Sequence, residues 1–377
     1  MSFNQLYGPF SVLAVAMVML TSCEKDVPIR NIDVEIRAIM EERDLPSVSA
    51  CILNANGVVW QKTYGYADLS GKVPATFETV YHVASISKLV VATAVMQLEE
   101  QGMVDLDADV DLYLPVGIRN PHFPETPITL RMLLTHSAGI AWPQTSKEAG
   151  ALWEHFEPDQ APRPSDWVPE FLVPGGENYN PNIWKNTRPG TFELYSNIGV
   201  NVIAYVVEQV SGMEFRSYCR QRIFYRLDMY STSFNYADLN TGHLARLYYP
   251  NYAIVAPFDD RIAASGLLKT STADFSKFLM AYLNGGELNG IRILKKSTID
   301  KLLQIQNPVT GVCLLWKAGV GGWFGHTGGM DGAATATDLH MEDQVGMIIF
   351  TNTHDGSVYP GHDIYGLVRQ KANMSRN

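Results

Sequence analysis

Residues 85–98 read Ser85-Ile86-Ser87-Lys88-Leu89-Val90-Val91-Ala92-Thr93-Ala94-Val95-Met96-Gln97-Leu98. The apolar run behind Lys88 predicts a buried helix. A serine at i and a lysine at i+3 then share one face of it. Hydroxyl and ammonium meet at the helix N-terminus, where the dipole favours developing negative charge. This is the layout of an activated serine nucleophile. The four-residue pattern decides nothing alone, because Ser22 and Lys25 repeat it. Its position at the head of a buried helix gives it weight.

Outward from this helix, both ends of the chain read as strands. Ile32, Ile36, Ile39 and Met40 recur at helical spacing and predict a first amphipathic helix ending before Pro46. Val48 to Leu53 and Val58 to Tyr64 are β-like, and Asn54-Ala55-Asn56-Gly57 between them signals a hairpin. The Lys88 helix should stop at Gln101-Gly102. Four further β-like runs lie near the C-terminus: Val312 to Trp316, Trp323 to His326, Ala333 to Asp338 and Val345 to Asn352. A last helix is expected around Asp363 to Ala372. The middle, about 105 to 260, reads as helical with long loops. The expectation is an α+β fold, with an antiparallel sheet assembled from N- and C-terminal strands, flanked by helices, plus a helical lobe. The α/β part would take about 32–85 and 260–377, the helical lobe about 86–259, and a cleft between them is a natural site. Four of the seven Trp fall between Trp142 and Trp184 in a Pro-rich stretch. That stretch reads either as a lid or pocket wall or as a loop packing its own aromatics.

The 377 residues, 46% hydrophobic and 18% charged, belong to a globular chain with a large core. A net charge of −10 without a basic stripe argues against nucleic acid. The first 22 residues carry no charge, and Phe10 to Leu20 is an apolar stretch too short to span a bilayer but suited to a signal peptide. It ends in Leu20-Thr21-Ser22-Cys23, which resembles a bacterial lipobox. The resemblance implies a signal peptide over 1–22, lipidation and membrane anchoring at Cys23, a tether over 23–31, and a periplasmic or cell-envelope location. Cys51, Cys219 and Cys313 show no metal-ligand spacing and are expected as buried thiols. No HExxH, CxxC or GxSxG occurs, so zinc-hydrolase and α/β-hydrolase readings lack support; no metal or organic cofactor is implied.

Three motifs follow one another: Ser85-Ile86-Ser87-Lys88, Tyr195-Ser196-Asn197, and His326-Thr327-Gly328-Gly329. Together they resemble the serine β-lactamase and penicillin-binding-protein superfamily, in its class C β-lactamase, DD-peptidase and family VIII esterase branch. Leu133 to Gly139, Val104 to Asp107, Tyr113 to Pro115, Ala264 to Leu267 and Ser271 to Asp274 extend the likeness over about residues 32 to 370. The domain 32–377 would then be a serine hydrolase.

In that frame Ser85 attacks a carbonyl and Lys88 with Tyr195 forms a coupled general-base pair. Which of the two takes the first proton stays open. An ammonium beside Tyr195 would favour its phenolate. Asn197 suits holding Lys88 and a substrate amide. The resemblance places two oxyanion donors on the backbone N–H groups of Ser85 and Gly329, with Thr327 and Gly328 beside them. His136 reads as a structural hydrogen-bonding residue. His326 stands where most β-lactamases carry lysine, and a mostly neutral imidazole grips a carboxylate poorly. His-Thr-Gly does occur in DD-peptidases and esterases of the branch, so the departure favours those activities over a dedicated β-lactamase. The resemblance implies an exported hydrolase of an amide or ester, such as a small-molecule or short D-amino-acid peptide. A carboxylesterase with weak β-lactam turnover is the alternative. A penicillin-binding sensor or scaffold that does not turn over is an alternative of another class.

Overall fold

The computed structural model describes residues 31–376. The leader, Cys23 and nearly all of the tether lie outside the described residues. Seven strands form one antiparallel sheet: β1 (Ser47–Asn54), β2 (Gly57–Asp68), β3 (Val73–Pro74), β4 (Lys317–Ala318), β5 (Trp323–Met330), β6 (Ala333–His340) and β7 (Val345–Thr351). Their spatial order is β4-β5-β6-β7-β1-β2-β3, so the two ends of the chain meet at β1 and β7. The register sets Val48 opposite Thr351 and Ile52 opposite Met347.

The period-2 alternation of strands decides what covers each face. Val48, Ala50 and Ile52 of β1 with Met347 and Ile349 of β7 point one way. They are buried under α1 (Ile32–Glu42) and the C-terminal helix Asp363–Asn373, through Ile36, Ile364 and Val368. Cys51, Leu53, Ile348 and Phe350 point the other way, into the larger core. That core holds α2 (Ser87–Glu100), α3 (Asn197–Ser211) and α4 (Thr272–Leu283). With both faces covered, β1 and β7 read as continuous apolar runs.

Helix α2 is buried from Ser87 to Leu98, which marks it as a central element rather than an amphipathic surface helix. It ends at Glu100, and Gly102 takes the left-handed φ of 70° that a stop of this kind requires. Helix α3 packs against α2. Its start is fixed by Ser196, whose side chain accepts the Gly199 N–H at 3.0 Å.

Two expectations change. Val312 to Trp316 is not a strand; the strand begins at Lys317. Leu315 sits at φ 58°, its N–H donates to the Leu134 carbonyl, and the Cys313 N–H donates to the Trp316 carbonyl. The run is a buried loop keyed into the helical lobe, so its hydrophobicity reports burial rather than pleating. In the Trp-rich stretch, Trp167 packs edge-on against Phe171 at 5.6 Å and Trp142 lies 6.2 Å from Trp153. Trp167 and Trp184 belong to the main core. The stretch packs its own aromatics and does not wall the cleft described below. Cys51, Cys219 and Cys313 are free and buried.

Candidate active site

Ser85 lies in a single tight turn, Ala84–Ile86, immediately ahead of α2. Ala84 is buried with φ 47°, a left-handed conformation that costs an alanine energy and persists only where surroundings enforce it. Here β5 and β6 enforce it. Thr335 of β6 donates its hydroxyl to the Val83 carbonyl at 2.9 Å. Gly328 of β5 lies so close that a Cβ there would fall 2.3 Å from the Val83 carbonyl oxygen and 3.0 Å from the Ser85 nitrogen. Gly328 is therefore dictated by close approach of two backbones.

Ser87, the neighbouring serine, has another task. Its hydroxyl donates to the Ala84 carbonyl at 2.6 Å and accepts the Leu268 N–H at 3.1 Å. It is fully buried and braces the turn, while Ser85 is left partly open.

Two proton handlers converge on Ser85. Lys88 Nζ lies 3.0 Å from Ser85 Oγ, the contact expected of an i, i+3 pair on one helix face. The Tyr195 hydroxyl donates to Ser85 Oγ at 2.9 Å. Lys88 is fully buried, and this desolvation holds its pKa well below the ordinary lysine value. Its second acceptor is the Ser265 carbonyl at 2.7 Å, in place of the expected Asn197 side chain. The Asn197 amide oxygen is instead buried with no hydrogen-bond partner. Ser265 was invisible as a site residue because it acts through its main chain.

Tyr195 is held by the 136–137 segment. The Leu194 N–H donates to the His136 carbonyl at 2.6 Å, and the Ser196 N–H donates to His136 Nδ1 at 3.3 Å. The His136 and Tyr195 rings pack at 4.6 Å. Tyr195 as a whole is 42% exposed and lines the cleft, but its hydroxyl is buried against Ser85. Burial raises the phenol pKa to about 12, and the Ser85 hydrogen bond only partly opposes this. Burial of the phenol thus opposes the phenolate that an ammonium beside Tyr195 would favour. Lys88 Nζ lies 5.0 Å from the ring centre.

His326 is neutral as well. Burial, then Lys88, then Lys317 push its pKa down to about 3, against a raising hydrogen bond to the Thr327 carbonyl. That bond requires the proton on Nδ1. His136 is lowered to about 3 by burial and by Lys88, so it is a neutral acceptor, as its structural role requires. Lys317 was not singled out in the sequence. It stands on the edge strand β4, opposite Gly325, and its side chain lines the cleft. It supplies positive charge beside the neutral His326.

The cleft has a volume of about 950 Å³. It starts at His136, Tyr195, His326 and Thr327 and runs past β4 to the C-terminal helix. Gly329 lies on β5 next to Gly328, and a Cβ on it would meet the Tyr359 hydroxyl at 2.6 Å. Among the described residues no cluster of three His, Cys, Asp or Glu side chains is placed to hold a metal ion. Nor is any helix there long and apolar enough to cross a membrane.

Comparison with known proteins agrees with this fold. The mouse (Mus musculus) mitochondrial serine beta-lactamase-like protein LACTB is 25% identical over 74% of this chain, and the match spans 63% of the mouse protein's length. The octameric penicillin-binding protein homologue from Pyrococcus abyssi superposes with a TM-score of 0.75 at 25% identity, covering 92% of this chain and 77% of that one. A class C beta lactamase from Rhodobacter sphaeroides shares the fold, with a TM-score of 0.68 at 19% identity over 91% of this chain and 97% of that one. The Beta-lactamase family model matches residues 32–368, and with its serine, lysine and tyrosine gathered at one turn the chain belongs to that family.

Proposed function

We propose that the protein is a serine hydrolase that acts on an amide or ester through an acyl-enzyme on Ser85. The observation carrying this is the convergence of Lys88 Nζ and the Tyr195 hydroxyl on Ser85 Oγ, at 3.0 and 2.9 Å. The desolvated Lys88 amine gives up its own proton more readily than an ordinary lysine and can then accept the serine proton, whereas a phenol with pKa about 12 has a proton to give. Lys88 is therefore the first base, and Tyr195 holds the Oγ orientation and returns a proton to the leaving group. The backbone N–H groups of Ser85 and Gly329 receive the oxyanion. The Asn197 amide oxygen, buried without a hydrogen-bond partner, is the acceptor proposed for a substrate amide.

Two substrate readings each have an observation behind them. Lys317 beside His326 favours a carboxylate-bearing substrate, such as a D-amino-acid peptide. The neutral His326 favours an uncharged ester. Export and anchoring through Cys23 belong to the same proposal and rest on the leader alone. Intact mass after incubation with a fluorescent penicillin, and separately with a fluorophosphonate, tests the chemistry. A lasting fluorophosphonate adduct on Ser85 and a penicillin adduct that decays are the expected results. A lasting penicillin adduct with no turnover of esters or peptides would make the protein a sensor, and no adduct with either probe in folded protein would remove the nucleophile. The anchor is tested by the mature N-terminus, which should be a lipid-modified Cys23.

A further inference from the structure

The peptide that joins Gly328 to Gly329 is held from behind. Its N–H is the Gly329 oxyanion donor of the proposed reaction, and its carbonyl belongs to Gly328. Peptide bonds among the described residues are all trans. In a trans peptide the carbonyl and the N–H point in opposite directions, so whatever holds the carbonyl aims the N–H. The Gly328 carbonyl lies on the β6 side, 3.4 Å from the Thr335 hydroxyl, in the register that pairs Gly328 with Thr335. The Gly329 N–H is thereby aimed at the other edge of β5. Strand β4 covers that edge only at Phe324 and Gly325.

Thr335 has one hydroxyl proton, and its shorter contact, 2.9 Å, is to the Val83 carbonyl. The hydroxyl that donates to the Gly328 carbonyl is that of Tyr359, at 3.1 Å. Tyr359 reaches it from the face of the sheet opposite Ser85. Successive positions on a strand face opposite ways. A Cβ on Gly328 would meet the Ser85 turn, whereas one on Gly329 would meet the Tyr359 hydroxyl at 2.6 Å and His354 Nε2 at 3.1 Å. Tyr359 is itself fixed. It follows the single turn Gly356–Val358, donates its N–H to the Gly356 carbonyl at 3.0 Å, and adjoins the fully buried Val358. The Asp355 carboxylate accepts the Ser357 N–H at 2.8 Å and caps the same turn.

Resting on the serine hydrolase reading above, we infer that Tyr359 is a positioning residue for the oxyanion site: its hydroxyl orients and polarises the Gly328–Gly329 peptide from the far face of the sheet. When Ser85 Oγ bonds to the substrate carbonyl carbon, the serine proton passes to Lys88 and the carbonyl π pair moves onto the substrate oxygen. That oxygen is what the Gly329 N–H has to meet. A hydrogen bond accepted by a peptide carbonyl strengthens the one its N–H donates, by about 10–30%. A donor fixed before the reaction needs no reorganisation as the charge develops. Tyr359 therefore acts on the charged intermediate far more than on the bound substrate.

Tyr359→Phe keeps the ring, which lines the cleft, and removes only the hydroxyl. Its melting transition should match wild type. With p-nitrophenyl butyrate, kcat should fall about 5- to 20-fold and KM should change by less than about 2-fold, against the 10²–10³ lost when an oxyanion donor itself is removed. Phenylboronic acid, which forms a tetrahedral adduct on an active serine, should protect Ser85 from a fluorophosphonate with an affinity weakened by the same factor as kcat. In folded Tyr359→Phe, kcat and boronate affinity both within about 2-fold of wild type overturn the inference, and so does a loss confined to KM, while labelled Ser85 leaves the hydrolase standing. If the wild-type protein is labelled but does not turn over this ester, boronate affinity alone decides. Absence of both labelling and turnover in the wild type overturns the hydrolase reading, and this inference with it.

Discussion

Gly328 and Ser85 touch through their backbones: a methyl group on Gly328 would stand 3.0 Å from the Ser85 nitrogen and 2.3 Å from the oxygen of Val83. The nucleophile's position is therefore set as much by strand β5 as by its own helix. Gly328→Ala should push the turn away from the strand and spoil the oxyanion geometry. The expected outcome is a fall in kcat of about 10²-fold or more, with a stability loss of ~1–3 kcal/mol from overpacking. Steady-state kinetics and thermal melting check it; wild-type kcat would show that the approach has slack.

Ser85 and Ser87 should separate cleanly. Ser85→Ala should abolish fluorophosphonate labelling and leave the melting temperature close to wild type. Ser87→Ala should retain labelling at Ser85 but lose ~1–3 kcal/mol, because the buried Leu268 N–H loses its acceptor. Equal loss of labelling in both would assign the wrong serine.

Lys88 makes stability depend on pH in a defined direction. Its folded pKa lies well below the ordinary lysine value of ~10.4, so the unfolded chain binds a proton that the native chain refuses. Its contribution to stability is complete only above ~10.4 and is lost as pH falls toward the lowered folded value. Lys88→Met removes this dependence along with the activity. The melting temperature of the variant relative to wild type should therefore be higher at pH 7 than at pH 10. The same offset at both pH values would mean that Lys88 is charged in the folded protein.

Lys317 lines the cleft on the edge strand paired with the strand that carries His326. Lys317→Ala should slow acylation by carboxylate-bearing probes such as penicillins about 3- to 10-fold. This is less than the ~1.5–3 kcal/mol of a hydrogen bond to a charged group would allow, because the side chain is exposed. Neutral esters should change by less than 2-fold. Equal effects on both probe classes would remove any role in carboxylate binding.

The pairing of Ser85 with Lys88 was legible in the sequence because it is carried by side chains at short, rigid spacing. Ser85 and Lys88 are set on one helix face by helical geometry alone, and the hairpin turn at Asn54-Ala55-Asn56-Gly57 announced β1 and β2. Four things were not legible, each for a physical reason. The Ser265 carbonyl is a main-chain group that any residue could offer. Lys317 gains its place from a two-residue edge strand. Val312 to Trp316 is apolar because it is buried in a loop, and periodicity cannot tell that from a buried strand. The protonation of Tyr195 depends on desolvation, which opposes the pull that charge proximity suggested.

The position of β1 between β2 and β7 has a consequence for the chain as it is made. Val48 waits for Thr351, some 300 residues later, and the turn holding Ser85 waits for Thr335 and Gly328. Contacts of such long sequence separation form slowly and only after loop closure. A nascent or C-terminally clipped chain therefore carries Ser85 without the strand that shapes its turn, and on the proposed reading activity arrives only when synthesis is nearly finished.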